Sequence, residues 1–141
     1  LFDGALTEKL ALVLKQLGTR SAMTVHGADG LDEITTTGVT RMSILKESGE
    51  VESTDFNPLE LGYNSSALSE IRGGKAAENA EIISNILDGE PGPKRDITVL
   101  NAAAGIVVGG KADTFEDGIM YAIESIDSGN AKKVLERLAS A

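Results

Sequence analysis

Cysteine is absent from the 141 residues, histidine occurs once, and acidic residues outnumber basic ones 22 to 13. Without cysteine there are no disulfides, no thiolate chemistry and no cysteine metal sites, a usage that fits a cytoplasmic protein. A net charge of −9 argues against a general nucleic-acid binder, which needs a basic stripe to neutralise phosphates. No apolar run approaches the roughly 20 residues that span a bilayer, so no membrane partner is expected. Leu1-Phe2-Asp3-Gly4 has neither the basic nor the apolar region of a signal peptide. It also lacks an initiator methionine, and the expectation is a chain that starts within a longer protein. A phosphate-bearing substrate would meet few clustered cations here; a metal or backbone amides would have to hold it.

What is present is ordinary for a globular domain: 41% hydrophobic and 25% charged residues. A chain of this length suits one domain burying roughly two-thirds of its unfolded surface. Leu6, Leu10, Val13, Leu14 and Leu17 recur at helical spacing and predict an amphipathic helix over 6–17, stopped by Gly18. Ser21–Val25 reads as a short buried strand. An acidic, glycine-bearing loop follows, Val25-His26-Gly27-Ala28-Asp29-Gly30-Leu31-Asp32-Glu33-Ile34. Helix, strand and then loop is the rhythm of an α/β protein whose site lies beyond the strands' carboxyl ends.

The β-branched run Thr35–Thr40 predicts extended backbone. Met42–Lys46 and Val51–Thr54, around Glu47-Ser48-Gly49-Glu50, predict a hairpin. Residues 55–66 read as irregular connection. Ser66 is placed as the cap of a short helix ending at Arg72-Gly73-Gly74. A helix over Lys75–Leu87 follows, with Ala76, Ala80, Ile83 and Leu87 on one face and Gly89 and Pro91 ending it. Ile97–Val108 is apolar enough for a buried strand or a buried helix; its length and Ala102-Ala103-Ala104 favour a helix ending at Gly109-Gly110. Thr114 caps the next helix, whose inward face is Phe115, Ile119, Ala122, Ile123 and Ile126. Gly129 breaks it before a last helix carrying Ala131, Val134, Leu135 and Leu138. There is no internal repeat, low-complexity run or linker.

The acidic loop is the best chemical lead. Asp29, Asp32 and Glu33 offer the oxygen ligands that a hard cation such as magnesium takes, often while bridging to a phosphate. A solvated turn in an acidic protein is the alternative on residue type alone. The pattern is not an EF-hand, since glycine and leucine stand where oxygen side chains belong. His26 has no serine or carboxylate fixed beside it and reads as a structural hydrogen-bonder. Gly105-Ile106-Val107-Val108-Gly109-Gly110-Lys111-Ala112 nearly matches a phosphate-cradling P-loop, but Ala112 replaces the required hydroxyl, so a helix terminus explains the glycines better. Arg72-Gly73-Gly74-Lys75 is equally a phosphate grip at a helix start or a turn.

The acidic loop closely resembles the signature loop of the anthranilate phosphoribosyltransferase family. Phe2-Asp3-Gly4-Ala5-Leu6-Thr7-Glu8-Lys9-Leu10, Arg72-Gly73-Gly74 with Glu78-Asn79-Ala80, Leu100-Asn101-Ala102-Ala103-Ala104 and Gly110-Lys111-Ala112 agree in order and spacing. Gly4 stands where many relatives have proline. The resemblance runs over nearly the whole chain. It implies that residues 1–141 are the C-terminal part of a nucleoside phosphorylase/phosphoribosyltransferase-type α/β domain, a mixed sheet with a β-hairpin and flanking helices. The family's helical N-terminal domain and the first part of the α/β domain would lie outside the chain. With them would go the glycine-rich loop for phosphoribosyl pyrophosphate, the residues contacting anthranilate and a serine ligand of magnesium.

In that family the adjacent Asp-Glu pair of this loop binds Mg2+; it maps onto Asp32 and Glu33. The resemblance does not make Asp29 a ligand and assigns no acid–base residue. The implied reaction joins anthranilate to the phosphoribosyl group and releases pyrophosphate, in tryptophan biosynthesis, by a cytoplasmic enzyme that is homodimeric when full length. The fragment alone is expected to be inactive. Two other readings stand beside it: a pyrimidine nucleoside phosphorylase-like enzyme or transferase-like paralogue, and a non-enzymatic acidic α/β module.

Overall fold

A computed structural model describes all residues, 1–141, as two units of contrasting make-up. The first, Leu1–Ser66 with Val108–Gly110, holds every strand; the second, Ala67–Val107 with Lys111–Ala141, is helical.

In the first unit a single 3-10 turn, Gly4–Leu6, leads into α1, Thr7–Gln16. Strands β1, Ala22–Gly27, β2, Thr40–Leu45, and β3, Val51–Phe56, form one sheet in the order β1-β2-β3, antiparallel throughout. This chain therefore carries the antiparallel hairpin portion of the expected sheet. Ala22 pairs with Leu45 and Gly27 with Thr40, so the strand continues through His26 to Gly27 rather than ending at Val25. The hairpin closes where Lys46 N donates to Glu50 O (2.9 Å) and Gly49 N to Lys46 O (2.8 Å).

The packed face of α1 overlaps the expected leucine stripe only in part, with Leu6, Leu10 and Leu14 half-buried. Thr7 and Ala11 are buried, whereas Val13 and Leu17 are exposed. The reason lies in the sheet beneath. Thr24 Oγ1 donates to Thr7 O (2.8 Å), and Ser43 Oγ lies 3.0 Å from Thr7 Oγ1 and 2.8 Å from Ser53 Oγ. Buried hydroxyls require partners, and Thr7 supplies them, its carbonyl to Thr24 and its hydroxyl to Ser43. Ala11, Ala22, Ile34, Met42 and Leu45 complete the buried apolar set of this unit.

Of Thr35–Thr40, expected as extended backbone, only Thr40 joins a strand; Ile34, Thr35 and Thr36 are buried outside the sheet. A second 3-10 turn, Pro58–Leu61, follows β3. Ser66 caps no helix: its hydroxyl lies 2.8 Å from Thr36 Oγ1.

In the second unit α2, Leu68–Ile71, is closed at its start by Glu70, whose carboxylate accepts Ala67 N at 2.6 Å. Helix α3, Ala76–Leu87, half-buries Ile82 and Ile86; of the face expected to pack, Leu87 is half-buried but Ala76, Ala80 and Ile83 are exposed. Helix α4, Pro93–Val108, starts four residues earlier than expected. Proline fits a first helical position, where its missing N–H has no partner to lose. Helix α5, Phe115–Asp127, is capped by Thr114, whose Oγ1 accepts Asp117 N at 3.1 Å. Helix α6, Asn130–Ala139, leaves Val134, Leu135 and Leu138 exposed, so its apolar residues do not join this unit's core. That core is Val99, Ala122 and Ile126, with Ile86, Ile106, Ile119 and Ile123 against it. Arg95 and Asp127, 2.7 Å apart, link α4 to α5.

Candidate metal centre on the loop after the first strand

Strand β1 delivers the chain to the loop with its last residue, Gly27, buried and still paired with Thr40. Gly27 N donates to Leu31 O (2.8 Å), Gly30 N to Gly27 O (2.9 Å) and Ala28 N to Val39 O (2.8 Å). These backbone bonds tie the start of the loop to its end. No side chain fits at Gly27. A Cβ there would come within 2.5 Å of Asp29 Oδ1 and 3.1 Å of Thr35 Cγ2.

The three carboxylates split into two kinds. Asp29 is half-buried and turns into the loop. Its Oδ1 accepts Leu31 N (3.1 Å), and its Oδ2 accepts the hydroxyls of Thr35 (2.6 Å) and Thr37. Burial pushes its carboxyl upward, but the hydrogen bonds from Thr35, Thr37 and Leu31 outweigh that effect and hold it below the ordinary 3.8. Asp32 and Glu33 are exposed, and neither carboxylate makes a hydrogen bond or ion pair. They sit between two anchors. On one side Leu31 is held through both its N–H and its carbonyl; on the other Ile34 is fully buried.

Two adjacent, unpaired carboxylates on a fixed backbone suit a hard divalent cation, which takes oxygen donors. They supply part of a coordination shell: nowhere in the chain do three His, Asp or Glu side chains gather closely enough to hold an ion by themselves. A cation here would keep positions open for oxygens from elsewhere.

The remaining sequence leads fare differently. His26 is half-buried, and its Nδ1 lies 2.7 Å from Leu1 O, which can only accept, so the ring donates there. At Arg72-Gly73-Gly74-Lys75 the amides that would grip a phosphate are already occupied: Asn79 Oδ1 accepts Gly74 N (2.7 Å) and Glu78 Oε2 accepts Lys75 N (2.6 Å). The Gly109-Gly110 pair ends α4, with Lys111 N bonded to Ile106 O at 3.0 Å. The residues that sequence reasoning passed over are Thr35 and Thr37. Their β-branching was legible and suggested extended backbone; their hydroxyls, six and eight positions after an aspartate, were the signal of a side-chain clamp.

Residues 1–132 match the family described as "Glycosyl transferase family, a/b domain", and the chain belongs to that family. Among its curated relatives are two proteins named anthranilate phosphoribosyltransferase. That of Methanocorpusculum labreanum is 49% identical over 137 residues, 97% of this chain and 40% of the relative. That of Petrotoga mobilis is 45% identical over 138 residues, 98% of this chain and 40% of the relative. The crystal structure of anthranilate phosphoribosyltransferase from Thermus thermophilus superposes with a TM-score of 0.83 at 31% identity, over 96% of this chain and 40% of that one. The Saccharomyces cerevisiae enzyme in complex with PRPP and Mg also gives 0.83, at 25% identity, over 96% of this chain and 39% of that one. The chain thus spans about 40% of the length of the relatives it matches.

Proposed function

We propose that these residues are the C-terminal part of the α/β domain of an anthranilate phosphoribosyltransferase. The complete enzyme transfers the phosphoribosyl group of phosphoribosyl pyrophosphate to anthranilate, giving N-(5-phosphoribosyl)anthranilate and pyrophosphate in tryptophan biosynthesis. One observation carries the reading: the unpaired Asp32–Glu33 pair, pinned on both sides at the end of β1, in a chain 45–49% identical to enzymes of that name.

In the reaction the anthranilate nitrogen attacks the anomeric carbon, the bond from that carbon to the pyrophosphate oxygen breaks, and the nitrogen loses a proton. The leaving group gathers negative charge that an acidic chain must not face unscreened. Asp32 and Glu33 would hold Mg2+, which when bound neutralises that charge without a proton. Their carboxylates would retain the cation, and their exposure would leave it accessible to further oxygen donors. They act as ligands, not as acid or base. Asp29, already engaged by three donors, is not a ligand in this scheme. The binding elements for anthranilate and most of those for phosphoribosyl pyrophosphate belong to the remainder of the polypeptide. The absence of cysteine and of any helix long and apolar enough to cross a membrane agrees with a cytoplasmic enzyme. We assign it a homodimeric state when complete, which sedimentation analysis of the complete protein checks.

The test is the pair of substitutions Asp32→Ala and Glu33→Ala in the complete polypeptide. Turnover is expected to fall about a hundredfold or more, on the order of 3 kcal/mol of barrier, with a raised magnesium requirement. Wild-type magnesium dependence in the double variant rejects the assignment.

A further inference from the structure

Asp29 is the one carboxylate of the loop that the proposed chemistry leaves unused, yet it is the most heavily bonded. Its two oxygens gather the Leu31 amide and the Thr35 and Thr37 hydroxyls, on either side of the Asp32–Glu33 pair. Thr35 Oγ1 also accepts Thr37 N at 3.0 Å, and Thr40 Oγ1 accepts Thr35 N at 3.1 Å, so the clamp runs on into β2. The close approach at Gly27 shows that the strand end is shaped around this carboxylate. Nothing in the arrangement aims Asp29 outward.

We propose that Asp29 is a positioning residue: by tying Leu31 to Thr35 and Thr37 it fixes the backbone from which Asp32 and Glu33 project, and so sets the affinity of the site for magnesium. This rests on the metal reading of Asp32 and Glu33. Ion ligands must be held in place before the ion arrives, and residues that orient ligands without touching the metal govern its affinity.

The experiment uses the complete enzyme and measures the magnesium concentration giving half-maximal rate, the KM for phosphoribosyl pyrophosphate, the KM for anthranilate and the melting temperature. Asp29→Asn keeps the side chain's shape but has a single acceptor oxygen, so it cannot accept the two threonine hydroxyls on one side and the Leu31 amide on the other. It is expected to raise the half-saturating magnesium concentration about tenfold or more. The KM for phosphoribosyl pyrophosphate should rise with it, and the KM for anthranilate should stay near the wild-type value at saturating magnesium. A role in folding alone would lower the melting temperature and the yield of active enzyme without moving the magnesium midpoint. Thr37→Val, which removes one hydroxyl from a half-buried position, gives a smaller shift in the same direction, and Thr37→Ser restores the wild-type midpoint. An unchanged midpoint in folded Asp29→Asn overturns the proposal; should that variant not fold, an unchanged midpoint in Thr37→Val does so. If Asp32→Ala with Glu33→Ala shifts the midpoint while the Asp29 and Thr37 variants do not, the metal reading stands and this one fails. If none shifts it, both fail.

Discussion

Three acids within five positions have two different jobs, and exposure and hydrogen bonding separate them. Asp29 spends its charge inside the loop; Asp32 and Glu33 keep theirs for solvent or an ion. The difference has a pH signature. The carboxyl of Asp29 is held below 3.8 in the folded chain, with burial opposing and the Thr35, Thr37 and Leu31 hydrogen bonds prevailing. A group whose folded pKa is depressed contributes stability that is present above the unfolded value and lost as pH falls through the folded one. At neutral pH, therefore, Asp29→Ala should melt below the wild type. The gap should close as the pH is taken from the unfolded value of 3.8 downward, followed by circular dichroism across an acid series. A gap that stays constant into strong acid would show that the hydrogen bonds do not depend on the charge.

At the level of elements, packing overrode periodicity in several places. The hydrophobic stripe of α1 predicted the helix correctly but only part of its packed face: Leu6, Leu10 and Leu14 are half-buried, while the fully buried positions are Ala11 and Thr7, the latter bonded to Thr24 and Ser43 of the sheet. In α3, Ile82 and Ile86 face inward, rotated from the expected stripe. The helix–helix approach in the second unit is set by a residue that hydropathy ignores. A Cβ on Gly118 of α5 would come within 2.9 Å of the Ala103 carbonyl oxygen and 3.1 Å of Val107 Cγ2. Alanine ordinarily improves a helix over glycine by about 1 kcal/mol. Here the obstacle is backbone, which cannot rotate aside, and overpacking costs about 1–3 kcal/mol. Gly118→Ala should therefore destabilise the protein in urea unfolding despite its better helix propensity; a stabilised variant would mean that α4 and α5 move apart without cost.

For the whole molecule, the governing fact is that the chain spans about 40% of its relatives' length. Two carboxylates do not make a coordination shell, and no further His, Asp or Glu joins them. On the proposed reading, the 141 residues alone are expected to give no transferase activity with anthranilate, phosphoribosyl pyrophosphate and magnesium, and the complete polypeptide is expected to turn over. Measurable product from the isolated chain, separated from anthranilate by chromatography, would show that the site is whole as it stands.

The sequence by itself determined the elements whose cause is local. Helices appeared where apolar residues recur at helical spacing, the hairpin where Gly49 interrupts two β-prone runs, and the cap where Thr114 precedes Asp117. It also singled out the Asp32–Glu33 pair and its likeness to the anthranilate phosphoribosyltransferase signature. Only the tertiary structure decided what depends on neighbours distant in sequence: which residues of α1 are covered, why Thr35 and Thr36 are buried without being in a strand, and which carboxylate turns inward. Periodicity records the spacing of apolar residues along one element, not the chemistry of the surface it meets. A hydroxyl reveals its role only when the chain has brought its partner to it, as Thr35 and Thr37 do for Asp29.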